Sequence, residues 1–496
     1  MILSCHIRVR RDLTISTMVG GRPVLPKPVV CLMTTTIAAI ATPIAASGVG
    51  IIRVSGPATR QLIPRIFRFP DPAGGPAAAE ALVPRRLYHG FIVDGTVRLD
   101  EALLVFMPAP RSYTGEDVLE IHAHGGPLIL QSVLDLVLRQ GAEMAAPGEF
   151  TRRAFMNGKM DLTQAEAVAD MIAARSRQAL AAAADQLAGR LREQVDRICA
   201  ALTTCLADLN AAIEFGDSDG TGLDDFDLGR EQELLRARAL APVEDLIARH
   251  ESNSQIRDGV RVALIGRPNA GKSTLLNRLL GRERAIVTST PGTTRDVLEE
   301  TLVFGGVPFV FSDTAGIGTA AVDEVDRLGM DRARDVAQQA EAVVFMVDIS
   351  ADLPTPVVPD LGLDDGRVVV AANKIDRLSG PVAEALAPLG SAWPVVPLSA
   401  LTGEGVPALK ELLVERFARV FPIHDGRAVP NPRHRQALIR AAGALRSALA
   451  AMESGVPEDL VAIDLNEALA ALEEITGRGM GEAVLDSIFS RFCIGK

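Results

Sequence analysis

One octapeptide constrains this chain more than any other: Gly266-Arg267-Pro268-Asn269-Ala270-Gly271-Lys272-Ser273. It follows Val260-Arg261-Val262-Ala263-Leu264-Ile265, an apolar, β-branched run with the pattern of a buried strand. It precedes Thr274-Leu275-Leu276-Asn277-Arg278-Leu279-Leu280, which has helical spacing. Strand, glycine loop ending in Gly-Lys-Ser, and helix make a phosphate-binding P-loop. Glycines let the backbone wrap a phosphate with its N–H groups, and the helix start adds partial positive charge. In such a loop Lys272 reaches the β- and γ-phosphates, and the Ser273 hydroxyl holds Mg²⁺.

Three downstream stretches narrow the ligand. Strand-like Val307-Pro308-Phe309-Val310-Phe311 leads into Asp313-Thr314-Ala315-Gly316. An acid at that strand end can hold the Mg²⁺ water shell, and the glycine lets an N–H approach the γ-phosphate. Strand-like Val368-Val369-Val370-Ala371-Ala372 ends in Asn373-Lys374-Ile375-Asp376. Asp376 can accept two hydrogen bonds from the N1–H and 2-amino group of guanine, donors that adenine lacks. Val395-Val396-Pro397-Leu398 ends in Ser399-Ala400-Leu401, where small residues can back the base. Each stretch falls at a strand's C-terminal end, where open α/β sheets bind ligands. The region from about Gly259 to Val420 is similar to the GTPase G domain. Thr288-Ser289-Thr290-Pro291-Gly292-Thr293-Thr294 stands at its first switch, and Thr294 would complete the Mg²⁺ shell. The residue after Gly316 is Ile317, so a glutamine that orients the attacking water is missing there. Asn269 offers a side-chain oxygen where a monovalent cation could sit beside the phosphates.

The rest of the chain sets this region in context. Its 496 residues suit about three domains. A hydrophobic share of 48% with 23% charged residues is ordinary for a core-forming protein, and no apolar run reaches membrane-span length. Lys and Arg number 51 against 62 Asp and Glu, a net −11, which argues against a broadly basic nucleic-acid-coating surface. Five cysteines (Cys5, Cys31, Cys199, Cys205, Cys493) are scattered, which suggests a reducing, cytoplasmic setting without a disulfide frame. Residues 1–32 are basic and proline-bearing and read as a disordered or misassigned extension, with Met33 the expected start and a targeting peptide the alternative, since patterned sequence begins at Thr36-Ile37.

Residues 33–158 carry strand-like runs at Gly50–Val54, Leu87–Val93, Ala102–Phe106 and Val118–His122, then a helix from Pro127 to Arg139, and read as a small α/β domain. Residues 159–257 are Ala/Leu-rich and helical: one run from Leu162 to about Phe215 started by a capping Asp161, an acidic loop at Gly216–Gly222, and a helix at about Arg230–Arg249. Residues 258–421 hold the G domain, and 422–496 return to helical character. The expected fold is therefore multidomain α/β plus α, with a P-loop domain inserted into a discontinuous helical domain whose two flanks pack together. The only hints of nucleic-acid contact are Arg433, His434 and Arg435 with Arg440, and Arg152 with Arg153; a solvated helix face is the alternative for each.

Motifs outside the G domain carry a wider resemblance. They are Gly48-Val49-Gly50-Ile51-Ile52-Arg53-Val54-Ser55-Gly56, Ser112-Tyr113-Thr114-Gly115-Glu116-Asp117-Val118-Leu119-Glu120, His124-Gly125-Gly126, Pro147-Gly148-Glu149-Phe150-Thr151, Asn157-Gly158-Lys159, and the terminal Phe492-Cys493-Ile494-Gly495-Lys496. With these, the chain from Thr36 to Lys496 resembles the MnmE (TrmE) family of tRNA-modifying GTPases. The resemblance implies a homodimer formed through the N-terminal domains. It also implies a bound folate, 5,10-methylene-tetrahydrofolate or 5-formyl-tetrahydrofolate, contacted by Arg53, Glu120, Lys159 and Lys496. Glu120 suits the amino and N–H edge of a pterin, and the cations suit carboxylates. Further implied are a flavoprotein partner, MnmG (GidA), carrying FAD and using NADH, in a heterotetramer or larger assembly. The product would be an aminomethyl or carboxymethylaminomethyl group on carbon 5 of a wobble uridine in tRNA. Cys493 is either a nucleophile near that chemistry or an inert thiol. By position, Asn269, Thr288, Thr290 and Thr293 would surround K⁺. The family's water-positioning glutamate stands in a Val-Glu-x-x-Gly context; here Val325-Asp326-Arg327-Leu328-Gly329 puts Asp326 in that role, one methylene shorter, with a solvated loop charge as the competing reading. A G-domain assembly switch is the rival class, which an RNA-binding KH-type clamp would favour; the flanks here are Ala-rich helices. A third reading is a folate-dependent carrier in which the G domain only regulates.

Overall fold

The computed structural model describes residues 35–70, 82–174, 176–215, 228–283, 299–313, 335–351, 365–389, 392–418 and 428–496. They fall into two compact units, Met1–Met160 with Phe489–Lys496, and Asp161–Ile488. Among the described residues, no helix is long and apolar enough to cross a membrane.

In the first unit, β1 (Ile37–Ile40), β2 (Ser47–Ser55), β3 (Phe67–Arg68), β4 (Leu87–Asp94), β5 (Val97–Met107), β6 (Val118–Gly125) and β7 (Glu143–Met144) form one sheet in the order β3-β4-β5-β6-β2-β1-β7. The pairings are antiparallel except β1 with β7. Helices α1 (Thr59–Ile66) and α2 (Pro127–Arg139) supply the apolar cover of one face. Alternation decides which side chains meet them: Ile52 and Val54 of β2 and Leu119 and Ile121 of β6 are buried in that core. Arg53, Glu120 and His122 therefore lie on the opposite face, where the register sets Arg53 directly across from Glu120. A slip of one residue would drive that arginine into the core, so burial of the aliphatic positions enforces the pairing. The short helix α3 (Glu149–Met156) follows β7.

Residues Phe489–Lys496, expected with the second helical segment, pack in this unit instead. Apolar surface explains it: Phe489 is 2% exposed, and its ring lies 6.4 Å from that of Phe155 and 5.3 Å from that of Phe492. Gly495 then presses on the C-terminal end of β1 so closely that a Cβ there would come 2.5 Å from the Ile40 carbonyl oxygen.

The second unit is part helical, part sheet. The expected single run after Leu162 is three helices, α4 (Leu162–Ala173), α5 (Arg177–Leu187) and α6 (Arg190–Phe215). Local chemistry makes the breaks. Asp161 caps α4 in a capping box with Gln164, Ser176 caps α5 by accepting from Ala179 N, and Gly189 turns at φ +87° before α6. Next come α7 (Leu228–Leu235), a π-helical turn at Arg236–Leu240, and α8 (Ala241–Asp258). The helices Pro432–Glu453 and Glu458–Thr476 close a shared core with α6 to α8, built from residues such as Leu202, Leu209, Val243, Leu445 and Leu472. Alanines at 441, 442, 444, 448 and 468 keep those helices close.

The sheet of this unit joins β8 (Val260–Gly266), β9 (Glu299–Phe304), β10 (Val307–Asp313), β11 (Ala342–Asp348), β12 (Val368–Asn373) and β13 (Val395–Leu398) in the order β13-β12-β11-β8-β10-β9. It is parallel except for the β9–β10 hairpin. Apolar clusters cover both faces, so β8, β11 and β12 read as nearly continuous hydrophobic runs without alternation. Helix α9 (Lys272–Glu283) packs Leu275, Leu276 and Leu279 into one of them.

One buried ionic knot ties the helices. Arg433 grips the Glu166 carboxylate of α4 with two hydrogen bonds of 2.8 Å, and also donates to the Glu474 and Ile475 carbonyls at the end of helix Glu458–Thr476. His434, fully buried, contacts Glu166 through Nε2 at 2.7 Å. Burial alone would raise the Glu166 pKa; the charges and hydrogen bonds of His434 and Arg433 outweigh it and hold the carboxyl well below the usual range. These two basic residues are thus internal fasteners, which removes them from the candidates for nucleic-acid contact. Glu166→Gln is expected to lower unfolding stability at pH 7 by about 3 kcal/mol, measured by urea denaturation. Because folding lowers this pKa, the contribution is complete above the ordinary value of 4.5 and is lost as pH falls toward the lower folded value. The gap between wild type and variant should therefore close in acid, not in base.

Candidate functional site

The nucleotide cradle grows from the end of β8. Gly266 leaves the sheet, Asn269 turns the loop at φ +62°, and α9 begins at Lys272. Asparagine tolerates this left-handed conformation better than most residues, which suits an exposed position that must also offer an oxygen. Ala270 is buried beneath it, and Gly271, at φ +100°, passes so near Asn373 that a Cβ would lie 2.3 Å from Nδ2. The Lys272 ammonium arches back to donate to the Gly266 carbonyl at 2.7 Å and the Arg267 carbonyl at 3.1 Å, which holds it over the loop. Ser273 and Thr274 stand exposed on the first turn of α9, at the positive end of the helix.

A single amide joins this loop to the segments at the ends of β12 and β13. Asn373 is 2% exposed at the end of β12; its Nδ2 donates to the Ala270 carbonyl at 2.7 Å and its Oδ1 accepts from Ala400 N at 2.9 Å. Asp376 follows, exposed, in a one-turn helix at Ile375–Arg377. Ser399 is fully buried and its hydroxyl accepts from Thr402 N at 3.1 Å; Leu401 beside it is 61% exposed. Arg278 of α9 donates to the Ala400 carbonyl at 3.2 Å. The structure thus brings Asn269 to Thr274, Asn373, Lys374 and Ser399 to Leu401 to one end of the sheet, where Asp313 also ends β10. Thr288, Ser289, Thr290, Pro291, Gly292, Thr293 and Thr294, then Thr314, Ala315, Gly316, Ile317 and Asp326, lie outside the described residues. So do the acidic loop at 216–222 and residues 1–32.

A second cluster forms on the open face of the first unit's sheet. Arg53 donates through Nε to Glu120 at 2.9 Å and through NH1 to the Gly495 carbonyl at 3.2 Å. Its guanidinium lies 5.4 Å from the Tyr113 ring centroid and 5.8 Å from that of Phe150. Burial first, then the like charge of Arg53, pull the Lys496 ammonium below the usual lysine range. His122 Nε2 sits 3.5 Å from the other Glu120 oxygen and is buried without a hydrogen-bond partner. Lys159 is held at the neighbouring loop, donating to the Pro110 carbonyl at 3.1 Å, with its stem against Gly115. Behind that loop Arg153, 1% exposed, is pinned by Glu116 at 3.2 Å and Glu149 at 2.8 Å. Buried in this way, it is no surface cation for nucleic acid.

Comparison with known proteins separates a local likeness from a whole-chain one. A model of the GTP-binding protein TrmE N-terminus matches residues 36–159, and a model of the MnmE helical domain matches residues 162–493. A protein of Roseiflexus castenholzii, named tRNA modification GTPase MnmE, is 44% identical over 477 residues, covering 93% of this chain and 99% of that protein. Its namesakes from Symbiobacterium thermophilum and Thermotoga maritima are 44% and 38% identical, again over 93% of this chain and 99% and 100% of theirs. The chain belongs to the MnmE family.

Arg53, Glu120 and Lys159 fall within the residues matched by the N-terminal model, and Asn269 to Ser273 and Asn373 to Asp376 within those matched by the helical-domain model. The thiols divide clearly. Burial, followed by nearby acids, pushes Cys199 up to about 11 and Cys205 to about 12, so both are inert. Cys493 is exposed, three residues before Lys496 and in the same unit as Arg53 and Glu120. Among the described residues, no group of three or more His, Cys, Asp or Glu side chains could hold a metal ion. P-loop proteins in general hold their Mg²⁺ without such a cluster, through a loop Ser or Thr hydroxyl and the nucleotide's phosphates. Sequence reasoning passed over His122, Arg278 and Asp348. The last was legible, because Ala342-Val343-Val344-Phe345-Met346-Val347 is a buried-strand run that ends on it. Gly271→Ala should lose affinity for a fluorescent GDP analogue by about a hundredfold, because the added carbon collides with Asn373 in a backbone conformation that alanine resists. A titration that matches wild type would count against this cradle.

Proposed function

We propose that this chain is a K⁺-dependent GTPase whose hydrolysis cycle gates tRNA modification carried out with a flavoprotein partner, MnmG (GidA). Membership of the MnmE family makes it a GTP hydrolase that acts in tRNA modification. The finer reading is that an aminomethyl or carboxymethylaminomethyl group is installed at carbon 5 of the wobble uridine. A folate held in the first unit of a cytoplasmic homodimer supplies the one-carbon unit, and FAD and NADH serve on the partner. GTP hydrolysis would drive G domains together and apart.

One observation carries the reading beyond nucleotide hydrolysis: Arg53, Glu120 and the Gly495-Lys496 segment, distant in sequence, converge on one sheet face. The residues fit a pterin. Glu120 presents a carboxylate to an amino and N–H edge, and the buried, unpartnered His122 nitrogen 3.5 Å away leaves a hydrogen bond for a ligand to complete. Arg53, Lys159 and Lys496 would meet the polar tail and carboxylates, and Cys493 is the candidate nucleophile beside them. At the other site Lys272 would bind the β- and γ-phosphates, with Ser273 and Thr294 on Mg²⁺, and Asp376 would read guanine. Asn269 fits a monovalent cation because it offers an oxygen from an exposed turn of the loop; Thr288, Thr290 and Thr293 would complete that shell. A bound K⁺ would supply positive charge that stabilises the phosphates as the bond breaks. Asp326 would position the attacking water in the role of the family's glutamate.

Two measurements test this. GTP turnover is expected to be at least about tenfold faster in potassium than in sodium chloride at equal ionic strength, since the cation acts at the reacting phosphates; equal rates would sink the cation role. In cells whose only copy carries Asp376→Asn, nucleoside analysis of tRNA should show loss of the modified wobble uridine. Intact modification there would uncouple GTP from the chemistry.

A further inference from the structure

Asp348 ends β11 and pairs in register with Asn373 on β12, so it stands at the root of the base-recognition turn. Three donors converge on its carboxylate. Oδ1 accepts from Ser350 N at 3.0 Å and Ser350 Oγ at 2.6 Å, and Oδ2 accepts from the Lys374 ammonium at 2.5 Å. The Asp-x-Ser turn therefore orients the carboxylate before it meets the lysine. Burial would raise its pKa, but the bonds from Lys374 and Ser350 outweigh this and keep it charged.

Lys374 needs such an anchor. Its φ is +71°, a left-handed conformation that a residue with a long side chain rarely adopts. The backbone is held before it by the buried Asn373 amide and after it by Arg377 N donating to the Lys374 carbonyl at 3.0 Å. Asp348 holds the side chain. Two residues further on is Asp376, and a carboxylate that must align with two donors on one base tolerates little rotation of its turn. The Lys374 and Asp348 side chains are 20% and 25% exposed. A pair so near solvent contributes little to global stability, so its consequence is local geometry.

We propose that Asp348 is a positioning residue for guanine recognition: it pins the Lys374 ammonium and thereby fixes the turn that aims Asp376 at the base. This rests on the reading of Asp376 as the guanine acceptor. The test measures Kd for GDP, IDP and ADP on the full-length protein. IDP lacks the 2-amino group and so reports on alignment. Asp348→Asn is expected to weaken GDP about tenfold, as for a lost charged hydrogen bond. It should also shrink the preference for GDP over IDP and leave the melting temperature and kcat at saturating GTP near wild type. In a Lys374→Met background the same substitution should have no further effect. Unchanged GDP affinity, an unchanged GDP-to-IDP ratio, or full additivity of the two substitutions overturns the proposal. Should Asp348→Asn fail to fold, Ser350→Ala removes one of the two orienting contacts, the hydroxyl's, and must still reduce the GDP-to-IDP ratio; no change overturns the proposal. Wild type that prefers GDP no more than ADP would instead defeat the guanine reading itself.

Discussion

The nucleotide end of the second unit hangs on the Asn373 amide. A buried primary amide has to place its donors and its acceptor, and here both go to backbone groups of different loops. Removing either bond would leave a polar group without water, which costs more than the bond itself contributes. The P-loop, the Asn373–Asp376 turn and the Ser399 loop are therefore one mechanical body, although they come from three strands. Gly271 is where that coupling is tightest, since the amide occupies the space that a side chain there would need.

The two sheets solve different problems with the same alternation rule. The parallel sheet is covered on both faces, so function is confined to its ends, where backbone groups run out of partners. The antiparallel sheet is covered by helices on one face, so charged side chains can sit across the middle of the other. The Arg53–Glu120 pair exists because aliphatic neighbours on both strands had to face the core. Its neighbours Tyr113 and Phe150 screen the arginine without neutralising it.

Much of this was legible in the chain. Runs such as Val260–Ile265 and Val368–Ala372 announce buried strands through β-branching, and Pro127 and Arg139 bound their helix because proline and a basic last turn mark its ends. The P-loop and Asn373–Asp376 were readable because their chemistry dictates residue type at fixed spacing. Other features were not. Breaks after Ala173 and Leu187 are set by one serine cap and one glycine within a helix-favouring background, and a lone residue seldom outweighs such a run. Arg433 and His434 looked like surface cations because sequence does not reveal that Glu166, 267 positions away, waits beneath them. The placement of Phe489 and Phe492 likewise depended on a distant apolar surface, not on their own helical spacing.

The contact between Arg53 and the Gly495 carbonyl spans 442 positions of chain. At ordinary rates of synthesis, roughly 20 to 90 seconds separate the emergence of its two halves. Through that interval the sheet, its helices and the Arg53–Glu120 pair can already be in place, while the site they border stays open on one side. The nucleotide-binding domain is made within the same interval. The Arg53–Glu120 pair therefore gains its contact with the chain's last turn only after the whole P-loop region has been synthesised.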